Sequence, residues 1–373
     1  MPSSDVADAL RRAGVRDVDD SSLSRALYSS DASLYRVVPR VVVRPRDLEE
    51  LVATVAVARE SGTPVTMRGA GTSIAGNAVG PGIVVDTARH LHHVLAVHPE
   101  ARTATVEPGT VHATVQRAAA SHGLRFGPDP STHTRCTIGG MIGNNACGSR
   151  ALGYGRTSDN VIGLEVLTAS GRRLRVPDPA ATSPLLTELD TLVGAHLATI
   201  RTEAGRFTRQ VSGYSLEHLL PENGRDLARF LVGSEGTLGV VLGATVRLVE
   251  DAPHRALAVC GYPSMFEAAD AVPALLAHPL VACEGLDARI VEVVRSHSAR
   301  GAVPALPQFA NWFPVLRSSG PVIPRAAGCT GAPAPRRSFL RRRSHPVGTS
   351  PAYVTSPGRV QIPHSASRGR SGG

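Results

Sequence analysis

The sequence predicts an α+β fold in which short apolar strands alternate with helices around glycine-rich loops. Three observations carry this expectation. Strand-like and helix-like patterns alternate between residues 39 and 123, glycine concentrates in three separated segments (68–76, 131–163 and 233–239), and the composition changes abruptly near Leu306.

The elements follow in order. Residues 1–35 read as a helical lead-in. Met1 to Asp20 has neither a basic n-region nor an apolar h-region, and no run of 18 apolar residues occurs, so a cytoplasmic location without a membrane span is expected. Pro39-Arg40-Val41-Val42-Val43-Arg44-Pro45 reads as a short strand. Asp47 to Ser61 reads as an amphipathic helix: Asp47 and Glu50 have capping-box spacing, Leu48, Leu51, Val52 and Val55 share one face, and Gly62 ends it. Pro64 to Met67 is strand-like and Ile83-Val84-Val85-Asp86 a buried strand. A hairpin through residues 93–98 and 102–107 follows, then a helix from Val111 to His122 closed by Gly123. Val161 and Ile162 open a strand that continues through Leu164, Val166 and Leu167.

The glycine-rich segments are the chemically informative part. In Arg68-Gly69-Ala70-Gly71-Thr72-Ser73-Ile74-Ala75-Gly76, successive amides would converge on an anion, and Gly69 and Gly71 remove Cβ atoms that would block a diphosphate. A dinucleotide fingerprint needs glycine where Ile74 stands and a P-loop needs lysine where Asn77 stands, so neither applies. The chain has no lysine at all, which removes Schiff-base and pyridoxal chemistry. Residues 131–163 combine many glycines with Asn144-Asn145 and few bulky side chains, pointing to main chain that approaches a large planar cofactor with a phosphate tail. Any one cluster is equally compatible with tight turns, and Asn144-Asn145 with a turn cap.

Residues 68–76, Cys136 to Asn160 and Gly233-Ser234-Glu235-Gly236-Thr237-Leu238-Gly239-Val240 together resemble, in order and spacing, the three FAD-contacting segments of the FAD-linked oxidases with the p-cresol methylhydroxylase (PCMH)/vanillyl-alcohol oxidase fold. The branch they resemble most is that of the D-lactate, glycolate and D-2-hydroxyglutarate dehydrogenases, over residues 36–305. The resemblance implies a PCMH-type two-subdomain FAD-binding domain over 36–250, the start of a truncated α+β substrate (cap) domain over 251–306, and FAD lying extended between the subdomains. It implies that Arg68, Gly69, Ala70, Gly71, Thr72 and Ser73, with Gly76, hold the pyrophosphate through backbone amides. Pro128, Asp129, Pro130, Thr132, Thr137, Ile138, Gly139, Gly140, Gly143, Asn144, Asn145, Gly148 and Gly155 would line the ribityl chain and flavin edge. Val161 and Ile162 would pack near the adenine, and Gly239 and Val240 would approach the cofactor. Glu235 is either an acceptor for a sugar hydroxyl or a neighbouring N–H, or a solvated loop charge. Thr72 stands where covalently flavinylated relatives carry histidine, so noncovalent FAD is implied.

The five cysteines, Cys136, Cys147, Cys260, Cys283 and Cys329, form no Cys-x-x-Cys pair, and Cys136 and Cys147 read as small buried fillers. His90, His92 and His93 do not read as a metal site, because strand alternation would put His92 and His93 on opposite faces. No metal is expected.

Residues 307–373 contain ten arginines and no acid, whereas the first 306 carry 30 arginines against 31 acids, so the positive net charge belongs to the tail. Ten prolines, eight glycines and nine serines in those 67 residues, without a period of 2 or 3.6, predict a disordered basic segment. Its arginine, proline, glycine and serine bias is what GC-rich codons give out of frame, so a frameshift is the preferred reading over an evolved tail. Arg336-Arg337 and Arg341-Arg342-Arg343 could contact nucleic acid, but few aromatic residues accompany them, and no nucleic-acid partner is expected.

The function implied by the resemblance is hydride transfer from the α-carbon of a small 2-hydroxy acid to flavin N5, with the electron acceptor unassigned. The family's base histidine and most carboxylate ligands lie in the later part of the cap, so no catalytic residue carries over and impaired turnover is expected. The alternatives are a non-catalytic FAD-binding fragment and another oxidoreductase of this fold acting on a sugar or alditol.

Overall fold

The computed structural model describes residues 3–177, 184–207 and 213–299; the predicted tail, Cys329 and the proposed frameshift lie outside the described residues. Helices α1 (Ser3–Arg12) and α2 (Ser22–Leu27), strands β1 (Val18–Asp19) and β2 (Val41–Val43), helix α3 (Leu48–Ser61), and strands β3 (Val65–Arg68) and β4 (Ile83–Asp86) build the first layer. Its sheet has the order β1-β2-β4-β3, parallel except for β1. β4 is buried at all four positions, as expected of an inner parallel strand covered on both faces.

α3 forms for local reasons. Asp47 Oδ1 accepts from the Glu50 amide at 2.9 Å, and Gly62 closes the helix in the left-handed region at φ 62°. Two sequence expectations shift. Glu50 Oε2 accepts from the Arg46 amide at 3.0 Å rather than from Asp47, and Glu50 Oε1 pairs with the exposed Arg16. The buried stripe is Leu51, Thr54, Val57 and Ala58, with Leu48, Val52 and Val55 on its flank. That stripe meets α1 through Val6, Ala7 and Leu10, so the N-terminal helix is part of this core.

The second layer contains β5 (Val94–His98), β6 (Thr103–Val106), α4 (His112–Ala120), β7 (Leu124–Phe126), α5 (Ile138–Asn144), α6 (Ala151–Tyr154), α7 (Thr157–Asn160), β8 (Val161–Leu167), β9 (Arg173–Val176), α8 (Pro184–Ala195), α9 (Leu197–Glu203), α10 (Leu227–Leu231) and β10 (Val240–Glu250). The antiparallel order is β5-β6-β10-β8-β9, with β7 also on β10. β10 joins the two layers. Its even positions from Val240 to Leu248 are buried; Val240 and Leu242 pack into the first core, while Ala244, Val246 and Leu248 pack into the second.

The segment 131–163, expected as glycine-rich loop, instead holds α5, α6 and α7. Glycine is a poor helix former. α5 forms because Thr137 caps it, Ile138, Met141 and Ile142 are buried, and carbonyls elsewhere take its first amides. Past β10, α11 (Met265–Leu275) begins at Ser264, whose Oγ accepts from the Glu267 amide, and α12 (Ala288–Ala299) follows. Between β10 and α11 no strand forms among the described residues, although the resemblance implies that an α+β substrate domain begins at 251. Leu257 and Val259 are exposed and no neighbouring strand offers them a ladder. Among the described residues no helix is long and apolar enough to cross a membrane.

Candidate functional site

The three glycine-rich segments, far apart in the chain, meet. Loop 69–77 leaves the end of β3, and its base is fastened by Arg68, whose guanidinium donates to Ala78 O and Ser30 O at 3.0 Å and lies 5.1 Å from the Tyr28 ring centroid. The Arg68 side chain is thus used within the protein. Among the described residues, no acceptor meets the amides of Gly69, Ala70, Gly71 or Thr72. Ser73 Oγ donates to Asn77 Oδ1 at 2.8 Å and rounds off the loop, and Gly76 packs against the Tyr35 ring. A short loop of unused amides with two glycines fits a diphosphate.

The second segment contributes structure as much as surface. Pro128 O accepts from His112 Nε2 at 2.8 Å, and the Asp129 amide donates to Cys147 O at 2.9 Å, making a parallel bridge with Gly148. The Asp129 carboxylate faces Arg125 and Arg150. Pro130 O and Thr132 O accept amides from the following turn. At α5, Thr137 Oγ1 accepts from the Gly140 amide at 3.2 Å, while the Ile138 and Gly139 amides donate to Thr110 O and Pro108 O at 2.8 and 2.7 Å. These three amides, expected to line the flavin edge, are therefore already engaged within the protein. Gly143, by contrast, faces open space.

The two asparagines part company. Asn145 ends α5 in the left-handed region at φ 49°, is 8 % exposed, and its Oδ1 accepts from the Ser158 amide at 3.0 Å. Asn144 is exposed and donates from Nδ2 to Glu235 Oε1 at 3.0 Å. Glu235 Oε2 accepts from Asn77 Nδ2 at 2.6 Å, and the Glu235 amide donates to Gly143 O at 3.0 Å. One carboxylate thus ties the third segment to the other two. Its pKa is raised by desolvation, against the pull of the Asn144 and Asn77 amides.

Several glycines make room for protein rather than for a ligand. A Cβ at Gly69 would overlap Thr137 Oγ1, one at Gly148 would overlap Asp129 O, and one at Gly239 would lie 2.5 Å from Val166 Cγ1. Gly155 caps α6 against Asp159. At the start of β8, Val161 is buried and Ile162 exposed; Val240 opens β10 in the core.

Beside the Glu235 junction lies a cleft of about 240 Å³, lined by Asn144, Asn145, Tyr214, Ser215, Ser234, Glu235 and Thr237 among others. Tyr214, whose hydroxyl is 2.7 Å from Thr237 Oγ1, carries no motif that would have marked it in the sequence. Cys136 is a core residue whose thiol pKa is pushed up to about 11 by burial. His92 and His93 correct the expectation of opposite faces: they precede β5, and their rings stack 4.8 Å apart. Among the described residues no group of three or more metal-binding side chains occurs.

Comparison with known proteins agrees with this geometry. Residues 39–177 match the family described as FAD binding domain. The chain is 32% identical over 326 residues to the glycolate oxidase subunit GlcD of Bacillus subtilis, an alignment covering 86% of this chain and 60% of that protein. It is 30% identical over 325 residues to the D-2-hydroxyglutarate dehydrogenase of Pseudomonas putida, covering 81% and 32%, and 34% identical over 274 residues to the D-lactate dehydrogenase of Archaeoglobus fulgidus, covering 71% and 53%. The chain therefore spans between about a third and three-fifths of the length of these relatives. With three glycine-rich segments meeting at the Glu235 junction and a matching domain over residues 39–177, the chain carries an FAD-binding domain of the PCMH type, and its cofactor is FAD.

Proposed function

We propose that this chain is an FAD-dependent oxidoreductase of small 2-hydroxy acids, the class that includes D-lactate, glycolate and D-2-hydroxyglutarate. The observation that carries the reading is the junction at Glu235, where a single carboxylate accepts from Asn77 and Asn144 and so fixes the amide-lined loop 69–72 relative to the end of α5. The names of the three relatives support the substrate class. FAD, when bound, supplies the two-electron acceptor. The residues hold it noncovalently: the amides of Gly69, Ala70, Gly71 and Thr72 take the pyrophosphate, and Asn144, Gly143 and Glu235 border the cofactor near the cleft. Pro128 to Thr132, Thr137 to Gly140, Asn145, Gly148, Gly155 and Gly239 support these surfaces from behind. Thr72 offers no imidazole for a covalent flavin link.

The domain division that goes with this reading is a flavin domain over 36–250 and a substrate domain that begins at 251. The test uses the full chain loaded with FAD under anaerobic conditions. A yellow protein whose visible flavin band bleaches with one of the three hydroxy acids supports the reading and selects the substrate. A yellow protein that none of them bleaches supports FAD binding without this activity, and a colourless protein after reconstitution overturns both.

A further inference from the structure

Away from the Glu235 junction, three guanidinium groups gather around two carboxylates. Arg125, on β7, has a side chain only 7% exposed; its terminal nitrogens lie 3.4 Å from Asp129 Oδ2 and 3.5 Å from Asp251 Oδ1, and its Nε is buried without an acceptor. Arg150, just before α6 and 14% exposed, reaches the same Asp129 Oδ2 through Nε at 3.1 Å. Arg255 reaches Asp251 Oδ1 at 2.7 Å. His133 Nδ1 stands 3.8 Å from Asp129 Oδ1, and the Tyr154 ring lies 5.7 Å from the Arg125 guanidinium carbon. Among the described residues, Asp129 is the one carboxylate within 4.0 Å of Arg150, and it is shared.

Three guanidinium groups set against two carboxylates leave an excess of positive charge around the buried Arg125 and Arg150 side chains. The Arg150 pKa is accordingly lowered, by desolvation first and by Arg125 second. The neighbourhood holds a second orphan, His112 Nδ1, on a fully buried ring 6.1 Å from that of His133. A guanidinium whose Nε alone is engaged keeps its outer edge for a planar oxyanion, the geometry in which arginine binds carboxylate and phosphate most strongly.

We propose that Arg125, Arg150 and Arg255 form a binding site for a small oxyanion, a carboxylate or a phosphate, at the point where β10 hands the chain on to the segment after residue 250. This site stands on charge balance and burial alone, independently of the substrate reading. With the FAD pyrophosphate on loop 69–72, the anion is a free metabolite, and the FAD-loaded arm of the test checks this.

The experiment measures thermal unfolding of the full chain, without FAD and loaded with FAD, against malonate, inorganic phosphate and, at matched ionic strength, chloride. A saturable stabilisation by malonate or phosphate beyond that of chloride is expected, with apparent affinity weakened roughly tenfold or more in Arg150→Gln. Should Arg150→Gln fail to fold, the more exposed Arg255→Gln serves as the second variant, with a smaller loss expected. Persistence of the effect in FAD-loaded protein supports a free anion; its disappearance on FAD loading, with weaker FAD binding by the variant, overturns the free-anion site and the placement of the pyrophosphate on loop 69–72. Equal stabilisation by chloride, or an unchanged response in the variants, overturns the proposal.

Discussion

Gly69 and Thr137 stand face to face across the meeting of the first two glycine-rich segments: a methyl group at position 69 would overlap Thr137 Oγ1, the same oxygen that accepts from the Gly140 amide and caps α5. The loop that offers its amides and the helix that ends at Asn144 are therefore positioned by one contact. Gly69→Ala is expected to lower stability by about 1–3 kcal/mol, the usual cost of overpacking. Thr137→Ala alone should cost about 1 kcal/mol through loss of the cap. The double variant should cost less than the sum of the two, because the Thr137 side chain is the obstacle. Urea unfolding of the four proteins checks this, and strict additivity would contradict the contact.

The Glu235 junction makes a separate expectation. Glu235→Ala removes the acceptor for both Asn77 and Asn144 and should weaken FAD binding by about 1–3 kcal/mol, with a smaller loss for Glu235→Gln, which keeps one acceptor oxygen. Fluorescence titration of the apoprotein with FAD measures it. Unchanged affinity in Glu235→Ala would show that the loop holds its place without the carboxylate.

Acid should destabilise the protein through His112. Its ring is fully buried, and desolvation lowers its pKa to about 4 from an ordinary value of 6.5. Between those values the unfolded chain binds the proton and the folded protein does not. The contribution is therefore fully present above the unfolded value and falls away as pH drops toward the folded one, reaching at most about 3 kcal/mol. Denaturation midpoints at several pH values in this window, compared with His112→Gln, isolate it. A variant with the same pH slope as the parent would assign the acid loss to other groups.

Cysteine reactivity gives a simple readout of the second core. Cys136 is buried, with its pKa raised to about 11, whereas Cys260 is exposed. Thiolate is the reactive form, so iodoacetamide at neutral pH should label Cys260 in the native protein and reach Cys136 only after unfolding. Mass mapping of the labelled peptides decides. Early modification of Cys136 would mean that the core around Ile138 and Met141 opens locally.

Much of this fold was legible because its signals are local. The Asp47 cap and Gly62 stop bracket α3 in the sequence as they do in space, and the apolar run Ile83–Val85 is the inner strand. α5 was not legible, since its glycines argue against a helix and the carbonyls of Pro108 and Thr110 that satisfy its first turn lie some thirty residues upstream. No strand forms between β10 and α11 for the complementary reason: a strand exists only with a neighbour, and none of the described residues supplies one there. His92 and His93 were misplaced by extending strand alternation two residues ahead of β5.

The sequence by itself determined where the backbone is bare and in what order the bare stretches come, which suffices to recognise a chain shaped for FAD. Tertiary structure alone decided what fills the space beside each glycine: Thr137 at Gly69, the Asp129 carbonyl at Gly148, Val166 at Gly239. It also decided that Glu235 would meet Asn77, 158 residues away, and that Asp129 would turn from the cofactor loop toward two arginines. The reason is physical. A missing Cβ is written in one residue, but the group that takes its place is fixed by chain packing over distances no local pattern records.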